Sequence, residues 1–310
     1  MTGKTKMDYE WLGDTTVFNV NREPAHSSHR FAKTLAGLEG ENSWERLLNG
    51  TWKMFYSKNP SMRPEGFEKP GVDISAFDDV MVPLSIEMQG YGAPAYFNVI
   101  YPWDGYEELK RGEVPQEFNP TSSYVKEFYL DPAWKGQNIY VSFKGAESGM
   151  ALWMNGTFVG YSEDSFTPHD FDITKLVKFD EKNYMAVQVY RFTSSSWLED
   201  QDFFRFSGIF RDVVLYTTPK VHVSDLFVKA LPDETYKNGT LSLELKLTGC
   251  KAADVRASLI LDQEVVKEFK IDGALNKDGI IKKKVKVNDI KLWSAEDPVL
   301  YKLILEVRNE

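Results

Sequence analysis

A single cysteine, Cys250, stands in 310 residues, so no internal disulfide can form and the chain suits a reducing compartment. Long apolar runs are missing as well: none approaches the ~20 residues that a membrane-spanning helix requires. The first residues, Met1 to Trp11, are polar and charged and lack the apolar stretch of a secretory signal. Basic charge is in deficit, with 37 Lys and Arg against 46 Asp and Glu. The resulting net charge of −9 argues against a nucleic-acid partner, because phosphate binding needs a basic face. The one basic run, Lys282-Lys283-Lys284, lies in a strand-like segment and reads as a solvated edge. Of the four histidines, His26 and His29 are three apart, while His169 and His222 are remote in sequence. A zinc site needs three or four converging ligands, which this spacing does not supply. No glycine-rich loop opens a helix, and Gly-x-Ser-x-Gly is absent, which removes the nucleotide-binding and serine-hydrolase motifs. Together these absences predict a soluble, cytoplasmic protein with neither a nucleic-acid nor a membrane partner.

What is present is a succession of short strands. Aromatic residues make up 14% of the chain and concentrate between Trp44 and Phe210; such residues favour strands and also build sugar-stacking surfaces. Residues 1–50 show no sustained period and read as an N-terminal arm lying on another surface, with a short helix predicted over Ser43 to Leu48 and Ser43 as its N-cap. From residue 51 the strand signals begin. The clearest is a hairpin, Met150 to Met154 and Thr157 to Tyr161 around Asn155-Gly156, a pair that tolerates the positive φ values of a two-residue type I′ turn. Tyr184 to Phe192 alternates, with Met185, Val187 and Val189 on one face. At Thr217-Thr218-Pro219 the texture changes to a block poor in aromatics and rich in Lys, Leu and Val, in which Thr240 to Leu247 alternates strictly. Five or more strands in about 90 residues match the size of an immunoglobulin-like sandwich. The expected architecture is all-β: an arm over 1–50, a jelly-roll β-sandwich over 51–218, and an immunoglobulin-like β-sandwich over 219–310.

Chemistry concentrates in carboxylates. Glu163 and Asp164 follow the hairpin, and Glu199, Asp200 and Asp202 lie among Trp197, Phe203, Phe204 and Phe206. A solvated turn would not surround its acids with so many rings. Acids buried there demand hydrogen bonds, a counter-charge or a cation, and Arg205 and Arg211 are the nearby candidates. A purely structural Asp–Arg network at a domain edge is the alternative.

The segment Trp197-Leu198-Glu199-Asp200-Gln201-Asp202-Phe203-Phe204-Arg205-Phe206-Ser207-Gly208-Ile209-Phe210-Arg211-Asp212 resembles a signature of the β-galactosidases of glycoside hydrolase family 2. Gly90 to Pro102, Trp153-Met154-Asn155-Gly156 with Val159 to Ser165, and Leu292 to Tyr301 resemble further motifs of that family in the same order. The resemblance spans Asn21 to Val307 and implies a jelly-roll sugar-binding domain followed by an immunoglobulin-like domain. In the family these precede a (β/α)8 barrel with both catalytic Glu residues, and such a barrel needs ~200 residues or more. No catalytic residue is therefore expected in these 310 residues; the late Asn309-Glu310 pair has no strand after it to stand in for the barrel's Asn-Glu motif.

Two family residues carry over. Asn98 matches an Asn that reaches into the galactose pocket, and Asp202 matches an Asp that contacts the sugar and a bound sodium ion. The sequence also departs from the family pattern: Ile86-Glu87 stands where Trp-Gln is common, and Gly92 where Asp is common. Ser194 replaces an acidic position serving a peripheral magnesium site, which Glu163 alone would not rebuild. The expectation is a non-catalytic N-terminal portion of a retaining β-galactosidase. It would supply the rim of the galactose pocket for β-galactosides such as lactose and be completed by a barrel domain or subunit within an oligomeric enzyme. The alternative is a free-standing carbohydrate-binding or structural docking module.

Overall fold

The computed structural model describes residues 4–199 and 202–308. They form two compact units: residues up to Pro24 together with Ala32–Thr217, and Ala25–Phe31 together with the chain from Thr218 onward.

The first unit contains β1 (Asn19–Val20), β2 (Glu45–Leu47), β3 (Gly50–Ser57), β4 (Asp78–Val82), β5 (Ala95–Phe97), β6 (Thr121–Phe128) and β7 (Asn138–Phe143). It continues with β8 (Ala146–Glu147), β9 (Gly149–Met154), β10 (Thr157–Glu163), β11 (His169–Asp172), β12 (Asn183–Tyr190), β13 (Phe203–Arg205), β14 (Gly208–Ile209) and β15 (Val213–Thr218). Seven strands pair in the order β1-β10-β9-β12-β6-β3-β4, and four in the order β11-β7-β15-β2. Residues of both sheets share one core: Trp52, Tyr124, Leu152 and Val187 from the larger, with Val141, Phe171 and Leu215 from the smaller. This is the all-β sandwich that the strand pattern predicts.

The larger sheet is buried on its other face too. There Val125, Ala151, Tyr161, Ala186 and Tyr190 pack with Trp11, Leu12, Phe67, Phe77 and Val114. Every residue of β12 is consequently buried, which explains why its second face carries Tyr184, Ala186 and Tyr190 instead of solvated polar groups. Burying a side chain such as Leu12 contributes about 1.5–3 kcal/mol, so Trp11 and Leu12 anchor the start of the chain. β1 then joins the edge of the large sheet beside β10. Gly160 is what allows it, since a Cβ there would lie 2.5 Å from the Val20 carbonyl oxygen. The β9–β10 turn has φ of 51° at Asn155 and 84° at Gly156, both positive as a type I′ turn requires.

One local expectation is corrected. Residues 45–47 form strand β2, paired with β15 from Glu45↔Tyr216 to Leu47↔Val214, and not the helix expected over Ser43 to Leu48. An available sheet edge outweighs the weak helical preference of six residues, too few to be stable as a helix on their own. The short helix of the arm is instead α1 (Leu35–Glu39), capped by the Thr34 side chain, which accepts from the Gly37 N–H.

The second unit contains β16 (His222–Pro232), β17 (Gly239–Thr248), β18 (Ala252–Leu261), β19 (Glu264–Ala274), β20 (Ile280–Val287) and β21 (Lys302–Val307). They form two three-stranded antiparallel sheets, β16-β17-β20 and β19-β18-β21. Leu241, Leu243, Leu245 and Leu247 of β17 meet Val255, Ala257 and Leu259 of β18 in its core, as the strict alternation of β17 predicts. Lys282 of edge strand β20 is solvated and pairs with Glu244 at 2.6 Å. Residues 25–31, part of the expected arm, belong to this unit. The Ser27 N–H donates to Asp225 at 2.9 Å and the Leu226 N–H to Ser27 Oγ at 2.9 Å. His29 Nε2 donates to the Val223 carbonyl oxygen at 2.8 Å. Among the described residues no helix is long and apolar enough to cross a membrane.

Candidate functional site

Asn98 and Asp202 are 104 positions apart in sequence, and a two-stranded ribbon gathers them. β5 and β13 pair antiparallel as Ala95↔Arg205, Tyr96↔Phe204 and Phe97↔Phe203. Asn98 directly follows β5 and Asp202 directly precedes β13. Tyr96 and its partner Phe204 share a face of the ribbon, and the Tyr96 hydroxyl reaches Asp202. Both Asn98 and Asp202 are exposed. Asp202 adopts φ of 47°, a left-handed conformation that Asp tolerates better than most residues. Asp200 and Gln201 of the same motif lie outside the described residues.

Asp202 is exposed, not partly desolvated as expected, and of the three expected supports (hydrogen bonds, a counter-charge or a cation) it has a hydrogen bond. The donor is a neutral phenol: Tyr96 Oη donates to Asp202 Oδ1. Arg205 is turned the other way, buried and paired with Glu147 at 3.0 Å, while also donating to the Glu199 carbonyl oxygen. Arg211 donates to the Phe166 carbonyl oxygen at 2.7 Å and lies over the Phe210 ring.

A second buried ion pair anchors the base of the ribbon. Glu87, 7% exposed, accepts from the Ser207 N–H at 2.9 Å and from Ser207 Oγ at 2.6 Å, with Arg191 Nη1 at 3.7 Å. Arg191 Nη2 in turn donates to the Ala93 and Arg205 carbonyl oxygens at 3.3 and 3.2 Å. One guanidinium thus holds the chain entering β5 and the end of β13. Sequence reading noted Glu87 only as a departure from a common Gln. Its charge is explained by Arg191, whose identity as partner the sequence did not signal.

Aromatic rings crowd around this ribbon. Tyr96 lies 5.1 Å from Phe204, and Phe166 lies 5.8 Å from Phe203. Nearby in sequence, Tyr101 and Trp103 stack with an interplanar angle of 6° and both meet Trp197.

The donor set can be tested against the two metals that the resemblance implies. Asp202 offers an exposed carboxylate, a hard oxygen donor of the type alkali and alkaline-earth ions take, so it fits a partial sodium shell. Glu163 does not fit the peripheral magnesium site. Its oxygens accept from Tyr161 Oη at 2.7 Å, Ser194 Oγ at 3.0 Å and the Ser195 N–H at 3.0 Å, and burial pushes its carboxyl upward from the ordinary value. Among the described residues no three His, Cys, Asp or Glu side chains gather as metal ligands would.

Comparison with known proteins gives the geometry a context. The family described as "Glycosyl hydrolases family 2, sugar binding domain" matches residues 45–219, and "Glycosyl hydrolases family 2" matches residues 221–310. The chain is 45% identical over 311 aligned residues to a β-galactosidase of Halalkalibacterium halodurans, covering 99% of this chain and 30% of that protein. It is 36% identical to the β-galactosidase large subunit of Lactobacillus acidophilus, covering 97% and 50%. It therefore spans between about a third and a half of the length of these relatives. Among solved structures it is similar to a Bifidobacterium dentium β-glucuronidase, with a TM-score of 0.67 at 18% identity, covering 87% of this chain and 46% of that one. It is also similar to Bacteroides uniformis β-glucuronidase 2, with a TM-score of 0.67 at 21% identity over 86% and 30%. At these identities the solved structures speak for the fold alone.

Proposed function

Since the chain belongs to glycosyl hydrolase family 2, we propose that it works as the N-terminal, non-catalytic portion of a β-galactosidase that hydrolyses terminal β-D-galactosides such as lactose. In this reading it forms the rim of the galactose pocket. Asn98 and Asp202 reach the sugar, and Asp202 contributes one oxygen donor to a sodium ion. Both carboxyl groups of a retaining mechanism, ~5–5.5 Å apart across the glycosidic bond, belong to a barrel outside these 310 residues. Sodium, when bound, supplies a positive charge beside the exposed carboxylate; the barrel completes its shell. The names of the large-subunit relatives support a partner that is a second subunit or a further domain. The placement of the working enzyme in the cytoplasm, as an oligomer, belongs to the same proposal.

The observation that carries the reading is the β5–β13 pairing, which joins the two separate motifs that hold Asn98 and Asp202. Asp202→Asn in the active enzyme that contains this chain tests it. The substitution keeps the shape and removes the charge, and Asp202 is exposed, so the melting temperature should stay unchanged. KM for a nitrophenyl β-galactoside and the sodium concentration for half-maximal activity should rise together, by about tenfold for one lost charged contact. A large fall in melting temperature with unchanged KM would assign Asp202 to the scaffold instead.

A further inference from the structure

The Proposed function gives Asp202 a role but leaves open what aims its carboxylate. A lone exposed Asp on a solvent-facing ribbon has free χ rotation, and a ligand would have to order it on binding. Three observations converge on its neighbour. Tyr96 pairs across the ribbon with Phe204, two residues from Asp202. Its ring rests 5.1 Å from the Phe204 ring, which limits the phenol's swing. Its hydroxyl donates to Oδ1 of Asp202.

We propose that Tyr96 is a positioning residue for Asp202: its hydroxyl fixes the carboxylate by one oxygen and leaves the other for the sugar hydroxyl and cation. The inference rests on the reading of Asp202 as a site residue. The chemistry is that of a charge-assisted hydrogen bond, stronger than a neutral one and directional. It consumes one oxygen's capacity and selects one carboxylate plane, so less ordering remains to be done when ligand arrives. Tyr96 is 51% exposed and its hydroxyl has no core to support, so the contact serves Asp202 and not the fold. Consistent with the contact, the bond to Asp202 pushes the Tyr96 phenol above its ordinary value of 10.0.

One substitution tests this. In the active enzyme containing this chain, Tyr96→Phe keeps the ring and removes only the donor. It should raise KM and the half-saturating sodium concentration about tenfold, the weight of one charged hydrogen bond. kcat should be nearly unchanged, as for lost uniform binding, and so should the melting temperature. If Asp202→Asn raises KM while Tyr96→Phe leaves it alone, the positioning role falls and the reading of Asp202 stands. If neither variant moves KM, both fall together.

Discussion

Arg191 is 7% exposed and holds its charge between a buried carboxylate and two backbone carbonyls. Removing one member of a buried ion pair strands the other, which costs about 3–5 kcal/mol. Arg191→Met should therefore lower stability by roughly that amount in a denaturant titration, since Glu87 would keep only its Ser207 donors. The double variant Glu87→Gln, Arg191→Met removes the stranded charge and should recover much of the loss. Additive losses in the double variant would show that the two side chains do not act as a pair. The motifs that offer Asn98 and Asp202 as candidates were legible in sequence. Tyr96 and Arg191 were not. Their roles depend on pairing across about a hundred residues, which no local pattern encodes.

Among elements, the segment Ala25–Phe31 gathers three of the chain's four histidines on the second unit. Phe31 packs edge-on between His29 and His222, 4.7 and 5.5 Å from their rings. Burial pushes both histidines below the ordinary 6.5; His26 nearby adds to that lowering, while Asp225 opposes it at His29. With the docked values depressed, the released segment binds protons more readily than the docked one. The docking free energy is therefore fully present above about pH 6.5 and is lost as pH falls through the lowered values. Amide hydrogen exchange across β16 from Val223 to Leu226, corrected for intrinsic rate, should accelerate between pH 7 and pH 5, and His29→Gln should flatten the change. Constant protection over that range would contradict the account. Elements set by local chemistry were legible: the Asn155-Gly156 hairpin and the alternating β17 follow from turn residues and period. The arm was not, since its stretches owe their structure to what they lie on: β1 to an edge at Gly160, β2 to an edge at β15, and residues 25–31 to β16.

At the scale of the molecule, two antiparallel sandwiches of different texture follow from the change in composition near Pro219. The first is rich in aromatics because its large sheet is buried on both faces; the second has a leucine and valine core between two small sheets. The ribbon of β5 and β13 presents exposed Tyr96 and Phe204 near exposed Asp202, a surface suited in the proposed reading to a sugar ring and to a covering domain. In the proposed reading this surface is a pocket rim whose chemistry lies in another domain. Release of nitrophenol from a nitrophenyl β-galactoside tests it most directly, measured first with the purified 310-residue chain and then after mixing with a polypeptide carrying the rest of a family 2 β-galactosidase. Background release is expected from the chain alone and hydrolysis regained on mixing, weakened when the chain carries Asp202→Asn. Turnover by the chain alone that survives stringent purification would contradict it.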